Sequence, residues 1–312
     1  MTEPDRSVRV SVPATSANLG PGFDALGLAL ELRDELQLDL TEGGLHVTPY
    51  AGVPTGERNL VVRAARRAFE ATGGQPPGLA LTYTARIPHS RGLGSSSAAI
   101  CAGVAAALAL RGGDPAGELA LRLAAELEGH PDNVAPCLLG GATVAWYPAR
   151  QGGAGTAGPA ASVRALRLEP TEELRPVLVV PPVRTSTEQA RLALPPSVAH
   201  REAAHTAGRA ALLVAALTGH PDLLLDATDD RLHQPYRLPL VPVTERLVTA
   251  LRSAGVAAVL SGSGPTVLAL CRPDQVATTR GVVGDVLAGA DVEAEVLEPA
   301  IARVGVRREA TG

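Results

Sequence analysis

Residues 86–98 read Arg-Ile-Pro-His-Ser-Arg-Gly-Leu-Gly-Ser-Ser-Ser-Ala, a glycine–serine turn running straight into an alanine-rich helical pattern, in a chain without a single lysine. A turn of this kind ahead of a helix aims backbone N–H groups and the positive end of the helix dipole at one point, which suits a phosphate. Gly92 and Gly94 let the backbone approach a bulky anion with no Cβ in the way. Ser95, Ser96 and Ser97 offer hydroxyl donors and a helix N-cap. The P-loop places a lysine after its last glycine, and this chain has none to place there. A phosphate loop of another design is implied, with its counter-charge drawn from a divalent cation, the helix end and Arg91.

The 312 residues leave room for two modest domains. With two Phe, four Tyr and one Trp, the core must be built from Ala, Val and Leu. A net charge of −4, with no basic stretch carrying interleaved aromatics, disfavours a nucleic-acid partner. All 28 basic residues are arginine, which excludes Schiff-base chemistry and a lysine base. Cys101, Cys137 and Cys271 are odd in number and far apart, and read as buried small hydrophobes in a reducing compartment. The polar N-terminus lacks a signal-peptide core, and the apolar run at 98–110 is too short to cross a bilayer. No membrane partner and a cytoplasmic setting are expected.

Strand patterns occupy Val8–Val12, ending at Pro13, then Glu35–Leu40, Leu79–Ile87, Ala142–Tyr147, Val163–Leu168, Val177–Val180, Val256–Ser261, Val267–Cys271 and Val292–Leu297. Helical spacing marks Asn59–Thr72, Ser95–Leu110, Glu118–Leu127, Arg201–Thr218, Val243–Ser253 and Val276–Ala288. Residues 14–23 read as a polar loop. The mixture lacks regular βαβ repetition, so the fold class is α+β. Gly153, Gly155 and Gly158 match a dinucleotide fingerprint, but Pro159 and a strand pattern follow where a helix is required. Residues 151–162 read instead as a flexible hairpin tip.

Five further clusters carry chemistry. Gly-rich loops lie at 18–23 and 261–265, each beside a strand. Glu126-Leu-Glu-Gly-His-Pro-Asp-Asn133 ends a helix at Pro131, and Glu128 or Glu126 offers carboxylate oxygen to a hard cation. The same residues also fit an ordinary Asx-type turn. Segments 184–191 and 233–237 bring arginines suited to clamping a carboxylate. No Gly-x-Ser-x-Gly elbow exists to support a serine hydrolase.

Together these loops resemble the galactokinase, homoserine kinase, mevalonate kinase and phosphomevalonate kinase superfamily. The segment Pro88–Ala98 resembles its nucleotide-binding motif, and Leu260–Thr266 its C-terminal motif. Within it, Pro13–Asp24, Glu128–Pro136, Thr185–Arg191 and His233–Arg237 are most similar to homoserine kinases, in the right order from about residue 8 to about residue 300. The resemblance implies an N-terminal domain (1–168) like that of a ribosomal protein, with a left-handed βαβ crossover around the phosphate loop. It implies a ferredoxin-like C-terminal domain (169–312), with ATP and substrate meeting between the two.

The resemblance further implies ATP-dependent phosphorylation of L-homoserine, a step toward threonine, with Mg2+ as the metal and a homodimer as the family-level assembly. The ATP site is Pro88, His89, Ser90, Arg91, Gly92, Leu93, Gly94, Ser95, Ser96, Ser97 and Ala98. Asn18 and Asp24 bind the amino acid, Asp24 facing its ammonium; Arg191 and Arg237 grip its carboxylate, supported by Thr187 and flanked by His130. Glu128, with Ser97 or Ser96, holds the metal, and Glu126 stays open as its alternative. Mevalonate-type relatives pair an aspartate base with a lysine; here Asn133 stands near that position. A loose phosphoryl-transfer transition state needs alignment and neutralisation more than early proton removal. Asn133 and Asp132, beside His130, are therefore the catalytic candidates, orienting the hydroxyl. Two readings compete: the same fold acting on mevalonate or a sugar, and a silent sensor of nucleotide and ligand. The first leaves Asp24, Arg191 and Arg237 without a purpose; a damaged glycine loop or a missing metal carboxylate would mark the second, and neither is seen.

Overall fold

The computed structural model describes residues 6–148 and 163–310. In chain order the elements are β1 (Ser7–Ala17), β2 (Leu26–Thr41), β3 (Gly44–Val47), α1 (Leu60–Ala71), β4 (Gly78–Thr84), α2 (Ser95–Leu110), α3 (Glu118–Glu128), α4 (Val134–Leu139), β5 (Ala142–Trp146) and β6 (Arg164–Leu168). There follow β7 (Arg175–Val180), α5 (Thr187–Leu192), α6 (His200–Thr218), α7 (Leu224–Ala227), α8 (Gln234–Arg237), α9 (Pro242–Ser253), β8 (Ala257–Leu260), β9 (Val267–Cys271), α10 (Val276–Ala290), β10 (Glu295–Leu297) and β11 (Arg307–Glu309).

Two sheets organise these elements. The first runs β11-β1-β2-β4-β3, with β5 pairing the start of β2 and β6 pairing β5. The second runs β10-β7-β9-β8, all antiparallel. Numbered within that unit the strand order is 4-1-3-2 in a β-α-β-β-α-β sequence, the ferredoxin-like arrangement. The α+β class is thus observed. The 168/169 division falls between β6 and β7, hence between the sheets, but β11 crosses back to pair with β1 through Arg9–Ser11.

Helix α2 is buried from Ser97 to Leu110. It lies under the first sheet and against α1, so it is apolar on every side rather than amphipathic. Gly103 permits that approach: a Cβ there would collide with Val61 O and stand 2.9 Å from the Ala64 Cβ. Helix α1 shows the expected amphipathic pattern, capped by Asn59, whose Oδ1 accepts from Val61 N (2.9 Å) and Val62 N (3.3 Å).

Two expectations change. Strand β1 does not end at Pro13; a register shift between Pro13 and Ala14 absorbs the proline, and residues 14–17, read as loop, pair with Gly27–Leu30. Strand β2 starts at Leu26, well before the Glu35–Leu40 pattern; its first half is buried and so does not alternate, while its second half presents one face outward. The hairpin tip expected at 151–162 lies outside the described residues. Among those described, no helix is long and apolar enough to cross a membrane.

Candidate active site

The three Gly-rich loops meet in one cleft between the sheets. The phosphate loop is held by its carbonyls. Ser90 O accepts from Thr185 N (3.3 Å), Arg91 O from Thr266 N (3.3 Å), Gly92 O from Ser261 Oγ (2.7 Å) and Leu93 O from Thr15 N (3.1 Å). Four successive carbonyls are thereby engaged by β1, the loop before α5 and the 261–266 turn. Ser90, Gly92 and Gly94 have φ of 55°, 76° and 69°. A Cβ at Gly94 would collide with Thr15 Oγ1, and one at Gly92 with Ser261 O. These glycines are required for close backbone approach.

The N-cap of α2 is Gly94, not a serine, and it makes no side-chain cap bond. Ser95–Ser97 fall in the first helical turn, where Ser96 and Ser97 hydroxyls both donate to Glu128 Oε1 at 2.7 Å. Glu126 instead pairs with Arg67 through two bonds of 3.2 Å. Helix phase separates the two glutamates: Glu128 lies two residues on, on the face of α3 that meets the first turn of α2. Among the described residues no three His, Cys, Asp or Glu side chains form a cage for a metal. One carboxylate with two hydroxyls suits a cation that takes its remaining ligands from phosphate and water, as Mg2+ does.

A cavity of about 400 Å3 runs from this loop along the substrate residues, lined by Asn18, Asp24, Ser90, Gly92, Gly94, Ser95, Ser96, Glu128, His130, Asp132, Asn133, Thr187, Arg191 and Arg237 among others. Of the eleven expected ATP residues, Ser90, Gly92, Gly94, Ser95 and Ser96 line it. Pro88, His89, Leu93, Ser97 and Ala98 do not; Leu93, Ser97 and Ala98 are wholly buried. Arg91 is not in the cavity lining; its Nη2 donates to Pro182 O at 2.6 Å, tying the loop to the second sheet's unit, while its Nη1 is buried with no hydrogen-bond partner.

The residues expected at the substrate come together with unexpected pairings. Asp24 and Arg191 bond to each other at 2.9 and 3.0 Å, and that bond holds the Arg191 pKa above its ordinary value. Asn18 lines the cavity and braces its neighbours: Oδ1 accepts from Asp24 N (3.0 Å) and Nδ2 donates to Gly262 O (3.0 Å). Thr187 Oγ1 lies 3.3 Å from Ser263 Oγ. Arg237 is 3% exposed and has no carboxylate in ion-pair reach among the described residues. Burial lowers its pKa. Its bonds are long, to Ala190 O (3.2 Å) and Gly262 O (3.4 Å).

On the opposite wall, His130 Nδ1 lies 2.7 Å from Asp132 Oδ1, which also accepts from Asn133 N at 3.0 Å. Burial works to lower the His130 pKa, but the hydrogen bond and charge of Asp132, with the charge of Glu128, outweigh it and raise the value. Asn133 Oδ1 accepts from Thr15 Oγ1 at 2.8 Å, which fixes the amide so that its NH2 is the free donor end. Thr15 and Thr185 were not legible as site residues, since each acts on backbone or on another side chain. Both lie within the family-like segments Pro13–Asp24 and Thr185–Arg191, which is the signal that points to them.

The comparisons with known proteins fit this cleft. The GHMP kinase N-terminal domain model matches residues 59–141 and the C-terminal model residues 210–283. A homoserine kinase from Streptomyces avermitilis is 55% identical over 274 residues, 85% of each chain. This chain belongs to the homoserine kinase family of GHMP kinases. A second member, from Streptomyces coelicolor, is 52% identical over 89% of each chain. The crystal structure of homoserine kinase from Cytophaga hutchinsonii superposes with a TM-score of 0.84 at 28% identity, covering 99% of both chains. The two-domain fold of the family is therefore the fold of this chain.

Proposed function

We propose that this chain transfers the γ-phosphate of ATP to the hydroxyl of L-homoserine, yielding O-phospho-L-homoserine on the way to threonine. The observation that carries the reading is Arg237. A buried guanidinium without a carboxylate partner is costly, and here it lines a cleft that also holds the Asp24–Arg191 pair. That set matches the two charged ends of an amino acid; a sugar has neither end, and mevalonate, whose carboxylate could meet the arginines, has no ammonium for Asp24.

The phosphates of ATP sit against the N–H groups of the 90–96 segment and the first turn of α2. Glu128, with Ser96 at the cleft and Ser97 donating to the same carboxylate from the buried side, would hold Mg2+, which when bound neutralises charge on the transferring phosphoryl group. Asn133, its oxygen occupied by Thr15, donates its NH2 to the homoserine hydroxyl oxygen; it orients the nucleophile and cannot take its proton. Asp132 fixes the His130 ring beside the same hydroxyl. Arg237 and Arg191 grip the carboxylate and Asp24 takes the ammonium. A homodimer and a cytoplasmic setting complete the reading on family likeness.

A coupled ADP-release assay with homoserine, threonine, mevalonate and galactose in parallel tests it. Turnover with homoserine alone, dependent on Mg2+, is expected. Preference for mevalonate or galactose, or binding without turnover, would overturn it.

A further inference from the structure

Phe23 is one of two phenylalanines in the chain. The other, Phe69, is fully buried in the core. Phe23 sits half-buried in the turn between β1 and β2, next to Asp24 and behind the cleft wall. Three side chains from the second unit converge on its ring. His233 stacks on it with centroids 5.1 Å apart and planes at 26°. The Arg237 guanidinium carbon lies 5.1 Å from the ring centroid, and that of Arg191 lies 6.0 Å from it.

The two arginines come from different helices, α8 and α5. Each lowers the other's readiness to sit nearby, since like charges repel. Arg191 is held by Asp24, but Arg237 has only long bonds to carbonyls and a 3.5 Å approach to His233 Nδ1. An aromatic face attracts guanidinium groups through its quadrupole, and Phe23 offers it to both. Burial lowers the His233 pKa, against the pull of Asp230, whose Oδ2 lies 3.5 Å from Nε2. The His233 ring is wholly buried, and its Nε2 lies 2.8 Å from Gly20 O, which leaves Nδ1 as the acceptor turned to Arg237.

We propose that Phe23 is a positioning residue whose ring fixes the spacing of Arg191 and Arg237, so that both reach one substrate carboxylate. This rests on the homoserine reading above. A simple packing role would be met equally by leucine; a quadrupole role would not.

The test compares Phe23→Leu with Phe23→Tyr, which keeps the face. In Phe23→Leu the homoserine KM should rise about 5- to 30-fold, the worth of losing a desolvated cation–π contact. The ATP KM and kcat should stay near wild type, and Phe23→Tyr should restore the homoserine KM. An unchanged homoserine KM in Phe23→Leu, an equal loss in both variants, or a parallel rise in the ATP KM would overturn the proposal. A thermal-unfolding double-mutant cycle of Phe23→Leu with Arg237→Met needs no substrate. Coupling between the two sites is expected, and additivity would overturn the proposal. If wild-type protein does not phosphorylate homoserine, the functional reading falls by that result alone, and the cycle still decides whether the ring holds the guanidinium.

Discussion

Asp24 and Arg191 meet fork to fork, with Oδ2 and Oδ1 accepting from the two terminal nitrogens at 3.0 and 2.9 Å. Asp24 adopts φ 55° to do so, a conformation uncommon outside glycine. Both side chains are about 40% exposed, and exposed pairs contribute only about 0–1 kcal/mol to stability. The arrangement therefore matters for binding more than for the fold. On the function proposed above, an amino acid entering the cleft would give its ammonium to Asp24 and its carboxylate to Arg191, replacing one ion pair by two. Asp24→Asn should lower the melting temperature little while raising the homoserine KM by at least about tenfold, the equivalent of about 1.4 kcal/mol, because the substrate ammonium loses the carboxylate that faces it. A calorimetric titration with homoserine and an unfolding scan check both halves. A large stability loss with KM intact would reverse the assignment.

Glu128 and Glu126 occupy one helix yet differ in every contact. Glu128 collects two serine hydroxyls inside the cleft, and Glu126 holds Arg67 outside it. Glu128→Gln should raise the Mg2+ concentration for half-maximal rate by more than the roughly 10–100-fold typical of outer-shell partners. Glu126→Gln should leave it unchanged. Magnesium titrations of the two variants decide this; equal effects would remove Glu128 from the metal site.

Gly94 has φ 69°, and a Cβ there would strike Thr15 Oγ1 and stand 3.1 Å from Asn133 Oδ1. Gly94→Ala thus disturbs the loop and the orienting amide together. Left-handed backbone at a non-glycine residue costs on the order of 1–3 kcal/mol. The expected outcome is a lowered melting temperature with a fall in kcat, and a larger kcat loss than for Asn133→Ala, which spares the loop. Asn133→Ala should itself reduce kcat with little change in the ATP KM; full kcat in that variant would end its role as orienting donor.

The elements whose signal is local were readable from the chain. Helix α2 begins at Ser95 and ends at Leu110, as its composition indicates, because a glycine–serine turn starts it and Arg111-Gly112 stops it. Pairings across distance were not readable. Nothing local shows that Pro13 falls on a bulge, that Arg307–Glu309 returns to β1, or that Arg191 meets Asp24. The same holds for the site. Glycines, serines and arginines at the cleft stand out by type, whereas Thr15, Thr185, Phe23 and His233 act on other residues and carry no chemical signature of their own.

Asp34 is fully buried at the mouth of the phosphate loop. Its Oδ1 accepts from Arg86 N (2.6 Å) and Ile87 N (2.8 Å), and its Oδ2 from Tyr83 Oη (2.8 Å). Burial raises its pKa above the ordinary carboxylate value, against the three hydrogen bonds, which work to lower it. Between the unfolded value of about 3.9 and the raised folded one, the folded chain binds more protons than the unfolded chain. Stability from this group therefore falls as pH rises through that window and is recovered as pH falls back. Asp34→Asn removes the titration while keeping Oδ1 for both amides, its NH2 facing the tyrosine oxygen. The stability difference between wild type and Asp34→Asn should thus shift in favour of wild type as pH is lowered through the window. Asp34→Ala strands two backbone N–H groups, at a cost of about 1–3 kcal/mol for each one left buried and unsatisfied, and frees the segment that leads into Ser90. Its ATP KM should rise while that of Asp34→Asn stays near wild type. Melting scans across pH and nucleotide titrations of the two variants check this, and an ATP KM untouched in Asp34→Ala would show that the loop is held without the carboxylate.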